Sequence, residues 1–252
     1  MSEMAARDVA ALRAFLARIL GYEHTQAIEH ALRSIELGVT HRATLVLLGE
    51  DDMVPIALAL HRRTLGADRP FIVSNPRRAN MPATARAPMS YTSGAAAVPA
   101  ARGGSLCLRH RRLPIDFERM VVLVRAPETD AMVIVCSDAS HDMHPFLIRP
   151  VPIRVPPLRI REHELPRIVD EYAADAISAL GASGTDFTSG DRQWVIDRST
   201  GSLAEIETAT VRLVALRQAG GVITRAAARL GLSHVALGQW LDRRRPARRG
   251  SP

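Results

Sequence analysis

Thr44-Leu-Val-Leu-Leu-Gly-Glu-Asp-Asp-Met-Val-Pro55 is an apolar run, then a glycine and three acidic residues, then the start of a helix-length stretch reaching Arg63. A short apolar run without polar alternation predicts a strand covered on both faces, as in a parallel sheet. The same pattern returns at residues 70–73, 105–108, 132–136 and 152–155, with another helix-length stretch at 115–125. Strand and helix in alternation predict an α/β fold built on a parallel sheet.

Before this core, residues 8–37 read as helical. Val9, Leu12, Leu16, Ile19 and Leu20, then Ile28, Leu32, Ile35 and Leu37, recur every three or four positions around a break near Gly21, and are packing faces. Residues 75–103 are rich in Ala, Pro, Arg, Ser and Thr with little periodicity and predict a loop. Residues 161–180 form an amphipathic helix, broken at 181–190. Ser202-Leu-Ala-Glu205 then has the spacing of a capping box, starting a helix that runs to about Gln218.

The C-terminal stretch Gly220-Gly-Val-Ile-Thr-Arg-Ala-Ala-Ala-Arg-Leu-Gly-Leu-Ser-His-Val-Ala-Leu-Gly-Gln-Trp-Leu-Asp-Arg-Arg-Arg245 reads as a helix-turn-helix. Ala227 and Gly231 stand four apart, where steeply crossing helices need a residue without bulk and then a left-handed turn. Ile223, Ala226 and Leu230 make one inner face, completed by Leu232, Leu237, Trp240 and Leu241. Ser233 is placed to cap the second helix, whose outward positions His234, Val235, Gly238, Gln239 and Asp242 would face a DNA groove. Thr224, Arg225, Arg243, Arg244 and Arg245 complete the candidate DNA contacts. Residues 205–252 hold nine arginines against Glu205, Glu207 and Asp242, so they carry +6 of the chain's net +7. Such a cluster is the electrostatic footprint of phosphate contact. An ordinary helical hairpin with a solvated arginine tail is the competing reading.

With 252 residues and 47% apolar composition the chain can bury a large core. Cys107 and Cys136 sit in apolar runs, predicting buried reduced thiols and no disulfide scaffold. No signal-peptide pattern and no membrane-length apolar run occur, so a cytoplasmic protein that does not engage a membrane is expected. All 33 basic residues are arginine, which excludes any lysine-dependent chemistry.

From about Leu20 onward the order of segments resembles the sigma-54-dependent transcriptional activators, bacterial enhancer-binding proteins with an AAA+ ATPase and a Fis-type DNA-binding domain. Leu45-Val-Leu-Leu-Gly-Glu50 is similar to the strand entering that family's phosphate loop. Ala59-Leu-His-Arg-Arg63 and Arg69-Pro-Phe-Ile-Val-Ser-Asn75 are similar to the helix and strand after it. Gly103-Gly-Ser-Leu-Cys-Leu108, with Leu113-Pro-Ile-Asp116 behind it, resembles the Gly-Gly-Thr-Leu-Phe-Leu strand. Ile153-Arg-Val-Pro-Pro-Leu-Arg-Ile-Arg161 resembles the Ile-Arg-Leu-Pro-Pro-Leu-Arg-Glu-Arg motif. The resemblance implies a truncated AAA+ sheet domain followed by a small all-α domain, with segments at 1–39, 40–160, 161–198 and 199–252. It also implies a homodimer through the helix at 202–218.

The family's chemistry is missing at the matching positions. A phosphate loop needs glycines to wrap the phosphates and a lysine to reach them. Here the loop is Gly49, Glu50, Asp51, Asp52. Like charges about 4 Å apart cost on the order of 4 kcal/mol at an effective dielectric near 20, so this loop should repel ATP. Arg109 and His110 replace the acidic pair that holds magnesium and activates water. The γ-phosphate sensor falls at Asp138, the second arginine sensor at Ala204, and the arginines given to a neighbouring subunit at His141 and Leu147, with Arg149 close by. Ser90-Tyr-Thr-Ser-Gly-Ala95 is a remnant of the family's sigma-contacting loop.

His141-Asp-Met-His144 has metal-ligand residue types but reads better as a solvated loop; neither metal nor cofactor is expected. Asp51-Asp52 reads as a strand-end turn and Trp194 as a core anchor. The expected function is a DNA-binding transcriptional regulator that does not hydrolyse ATP. The alternative is an interaction protein that co-assembles with intact AAA+ relatives, and a working ATPase is the family default. Some forty residues precede the scaffold, so no receiver or ligand-sensing domain is expected.

Overall fold

The computed structural model describes residues 6–76, 88–138 and 151–243, and the chain divides into two compact units, 1–157 and 158–252. The first holds α1 (Ala6–Leu20), α2 (Thr25–His41), β1 (Leu45–Leu48), α3 (Val54–Thr64), β2 (Phe71–Ser74) and β3 (Met89–Tyr91). It continues with α4 (Gly94–Ala100), β4 (Ser105–Arg109), α5 (Phe117–Arg125), β5 (Met132–Ser137) and β6 (Ile153–Arg154). All pairings in the sheet are parallel, in the order β3-β2-β4-β5-β1-β6. This is the α/β arrangement that the apolar runs predict.

The runs are continuous because both faces are covered. Val46, Leu48, Leu106, Leu108, Val133 and Val135 meet Ala97, Val98, Phe117 and Met120 of α4 and α5. The alternate residues of the strands turn to the other face, on which α2 and α3 pack. There the buried His61 ties three elements together. The Arg69 carbonyl, 3.1 Å from Nε2, can only accept, so Nε2 carries the proton and Nδ1 accepts from the Ser105 hydroxyl at 2.8 Å.

Burial pushes the His61 imidazole below its ordinary value of 6.5. The unfolded chain therefore binds the proton more readily, and this contribution to stability is complete above pH 6.5 and is lost as pH falls below it. Urea unfolding at pH 7.5 and pH 5 should show the loss, and His61→Gln should show less of it. An equal pH dependence in both proteins would remove His61 as its source.

The loop expected over residues 75–103 is corrected in its described part. Met89–Tyr91 is a strand paired with β2, and Gly94–Ala100 is a helix. Three strand residues are too few to show a period, and Gly-Ala-Ala-Ala-Val-Pro-Ala has no polar face to give a helical one. The stretch Ser90-Tyr-Thr-Ser-Gly-Ala95 thus lies in β3 and the start of α4. Asp116 holds that start: its carboxylate accepts from the Ser93 hydroxyl at 2.7 Å and from the Gly94 and Ala95 N–H groups at 2.8 and 2.9 Å. Burial raises the Asp116 pKa, but these hydrogen bonds outweigh it and the net shift is downward. Asp116, the residue just before α5, thus caps α4.

The second unit contains α6 (Leu165–Leu180), α7 (Ser189–Arg198), α8 (Leu203–Gln218), α9 (Ile223–Arg229) and α10 (His234–Asp242). Ser202 caps α8 by accepting from the Glu205 N–H. The helices α6 and α8 pack along each other, burying Ile168, Val169, Tyr172 and Ala176 with Ile206, Leu213 and Val214. Ahead of α6, the buried Arg161 donates to Glu164 at 2.6 Å. Buried Asp191, in the first turn of α7, accepts from Nε and Nη2 of Arg217 at 3.0 and 2.9 Å and from the Thr188 hydroxyl at 2.8 Å. Burial raises its pKa, and the bonds from Arg217 and Thr188 bring it below the ordinary carboxylate value.

Candidate functional site

The residues singled out from the sequence fall in two places, one in each unit. The first is the hairpin of α9 and α10. The helix α9 ends at Gly231, which has φ +60° and needs glycine for that reason. The Gly231 N–H donates to the Ala228 carbonyl at 3.1 Å and the Leu232 N–H to the Ala227 carbonyl at 2.8 Å, the paired bonds of a Schellman ending. The Ser233 hydroxyl then accepts from the Ala236 N–H at 3.2 Å and starts α10. Ala226 and Ala227 are buried, so the helices approach without a side chain to displace.

On α10 the inward residues are Leu237 and Trp240. The Trp240 ring lies 5.4 Å from that of Trp194, tilted by 47°, and the Arg212 guanidinium sits 4.8 Å over it. Trp194 is half-buried and joins α7 to α10, the anchoring role read from the sequence. At 100° per residue, His234, Val235, Gly238, Gln239 and Asp242 fall within an arc of about 140° opposite this core. Thr224, Arg225, Ser233, His234, Val235, Gln239 and Arg243 are exposed and Gly238 is half-buried. Arg244 and Arg245 lie outside the described residues.

The arginine excess shrinks on inspection. Arg217 is committed to Asp191, Arg212 to the Trp240 ring, and Arg229 donates to the Gln218 side chain at 3.2 Å. Among the described residues of this segment, Arg225, Arg229 and Arg243 are exposed and have no acidic partner; Arg243 donates to the Gln239 carbonyl at 3.2 Å. A count of charges has no means to separate those held internally from those presented outward.

The second place is the loop after β1. Asp52 accepts at Oδ1 from the Val54 N–H, 3.2 Å away in the first turn of α3, and at Oδ2 from Nη2 of Arg109, 2.6 Å away at the end of β4. The polarity expected of a nucleotide site is inverted: the loop brings the anion, the strand end brings the cation, and the two pair. A second pair joins Arg111 to Asp138 at 2.7 Å. Both are partly solvated, and ion pairs of that kind contribute about 1 kcal/mol or less. All four side chains line one cleft. The Met53 side chain packs against Gly49, where an added Cβ would meet its Cε at 2.7 Å.

Glu50 and Asp51 line the same cleft, together with Arg111, Arg112 and Ser137, which the sequence reading passed over. Their only signal was the basic run Arg109-His-Arg-Arg112. The cleft lies outside the carboxyl ends of β1, β4 and β5, where open parallel sheets bind ligands. Cys136 also borders it, with its sulfur 3.7 Å from that of Cys107. Both thiols are free, and the hydrogen bond to Cys107 together with burial pushes the Cys136 thiol up, away from a reactive thiolate. Ala204 lies in the first turn of α8. The positions expected to be given to a neighbour (His141, Leu147, Arg149) and the metal candidates His141, Asp142 and His144 lie outside the described residues. Among the described residues no three metal-ligating side chains cluster, and no helix is long and apolar enough to cross a membrane.

No protein-family profile and no curated protein matches the chain. Among solved structures it is similar to NtrX from Brucella abortus in complex with ADP, at 14% identity over 94% of this chain and 72% of that one, with a TM-score of 0.47. NtrX in complex with ATP gives 16% identity, the same coverages and a TM-score of 0.46. A mutant of RuvB from Thermotoga maritima gives 13% identity over 85% of this chain and 84% of that one, with a TM-score of 0.46.

Proposed function

We propose that the protein is a DNA-binding regulator whose α/β unit has no nucleotide chemistry. The observation that carries the proposal is the hairpin's division of labour. Leu237 and Trp240 of α10 are buried and Leu241 is half-buried, while one arc presents His234, Val235, Gly238 and Gln239 near the exposed arginines Arg225 and Arg243. A helix held this rigidly by a Schellman turn and a serine cap suits a major groove. The pairing of Asp52 with Arg109, and the absence of lysine, support a unit that neither binds nor hydrolyses ATP.

In this reading the protein acts as a homodimer. The apolar positions Ile206, Leu213 and Val214 of α8 are already buried within the chain, so a second copy would use its remaining face, around Ala204, Thr208 and Val211. A second reading, co-assembly with intact AAA+ relatives, is favoured by the retained parallel sheet with its inverted cleft.

Gel-shift titration at two salt concentrations tests the proposal, with each Arg–phosphate contact adding about −0.9 to the slope of log K against log salt. Binding should weaken steeply with salt and be indifferent to ATP with magnesium. No binding at low salt would end the proposal, and ATP-dependent binding would end its claim about the cleft.

A further inference from the structure

We infer that the hairpin reads a thymine close to an adenine, through Val235 and Gln239. The inference rests on the DNA-binding reading above and adds which base edges it recognises. Val235 is 53% exposed in the first turn of α10, whereas Leu237 and Trp240 of the same helix are buried. Among the described residues Val235 is the large apolar side chain of α10 that stands exposed on that arc. The 5-methyl of thymine is the apolar group on the major-groove edge of DNA, and it fits a valine.

Gln239 stands one turn further on, exposed on the same arc. Its amide can donate to N7 and accept from the amino group of adenine, a bidentate match that no other base offers it. The four residue steps from Val235 to Gln239 rise about 6 Å along the helix, close to two base steps. Between them lies Gly238. Its φ is not left-handed, and a Cβ there would meet nothing within 4 Å. Neither the backbone nor internal packing requires glycine at 238. What the missing side chain does is lower the helix surface beside the two reading residues, so that α10 can seat deeper in a groove. Asp242, at the far end of the arc, repels phosphates and favours contact through the first two turns.

The test is selection of random-sequence duplexes by the full chain, followed by titration of the preferred duplex with single-atom base changes. Replacing the read thymine by deoxyuridine, which removes only the methyl, should weaken binding roughly fourfold. That penalty should vanish in Val235→Ser. Replacing the read adenine by 7-deazaadenine should weaken binding roughly fivefold or more, and Gln239→Ala should abolish the difference. Both residues are exposed, and unchanged thermal melting of the variants confirms that they fold. Selected duplexes that tolerate both base changes in the unsubstituted protein would overturn the inference while leaving DNA binding intact. Failure to retain any duplex at low salt would instead remove the reading on which it rests.

Discussion

Replacing Gly104 by alanine should destabilise the first unit by about 3 kcal/mol or more, whereas the same change at Gly103 should cost only about 1 kcal/mol. The two glycines are adjacent and look equivalent in the sequence, but they are needed for different reasons. Gly103 has φ +73°, and a Cβ there would touch only the movable Arg69 side chain at 3.4 Å, so the cost is conformational. At Gly104 a Cβ would stand 2.0 Å from the Pro70 carbonyl oxygen. That oxygen accepts from the Ser105 N–H at 2.9 Å, and the Gly104 carbonyl accepts from Met132 at 2.9 Å. The clash is therefore with backbone that registers β2, β4 and β5 together, and no side-chain rotation relieves it. A domain of ordinary stability has some 5–15 kcal/mol in hand, so Gly104→Ala should lower the urea midpoint severely and reduce soluble yield. Equal urea midpoints for the two variants would show that the backbone approach is not what fixes this glycine pair.

The sequence makes the sheet legible because burial on both faces forces unbroken apolar runs such as Leu45-Val-Leu-Leu48 and Met132-Val-Ile-Val-Cys136. The turn at Gly231 and the cap at Ser233 are legible for a similar reason: a left-handed turn and an orphan N–H each demand a particular residue type. What escapes is whatever depends on a partner distant in the chain. The helix α4 is capped by Asp116, some twenty residues later, and has no periodic face of its own. The commitment of Arg217 to Asp191 spans 26 positions, and that of Arg109 to Asp52 spans 57. The identities of the inverted charges are plain in the sequence, but that they neutralise one another is not. Under the proposed reading, a triphosphate entering this cleft would have to displace a carboxylate already held by Arg109 and the α3 N–H.

Reversing charge at Arg225 and Arg243 together should lower duplex affinity about a hundredfold at moderate salt and flatten the salt dependence by about two in slope. Both side chains are exposed, one near the start of α9 and one just past α10, on either side in sequence of the arc that carries Val235 and Gln239. A pair of phosphate contacts on either side fixes where the helix sits without selecting a sequence. Reversal should therefore weaken all duplexes alike, unlike a change at Gln239. The control is the same reversal at Arg33 and Arg119, exposed on α2 and α5, which alters the net charge equally. If the protein merely condensed on DNA through its overall positive charge, both double variants would lose affinity together. If the hairpin is the contact surface, the control should retain nearly all of its affinity and an unchanged slope. Reversal at Arg212 or Arg217 is no substitute, since Trp240 and Asp191 hold those side chains and their loss would unsettle the hairpin itself. Matching salt slopes from the two double variants would take the hairpin out of consideration as the DNA contact.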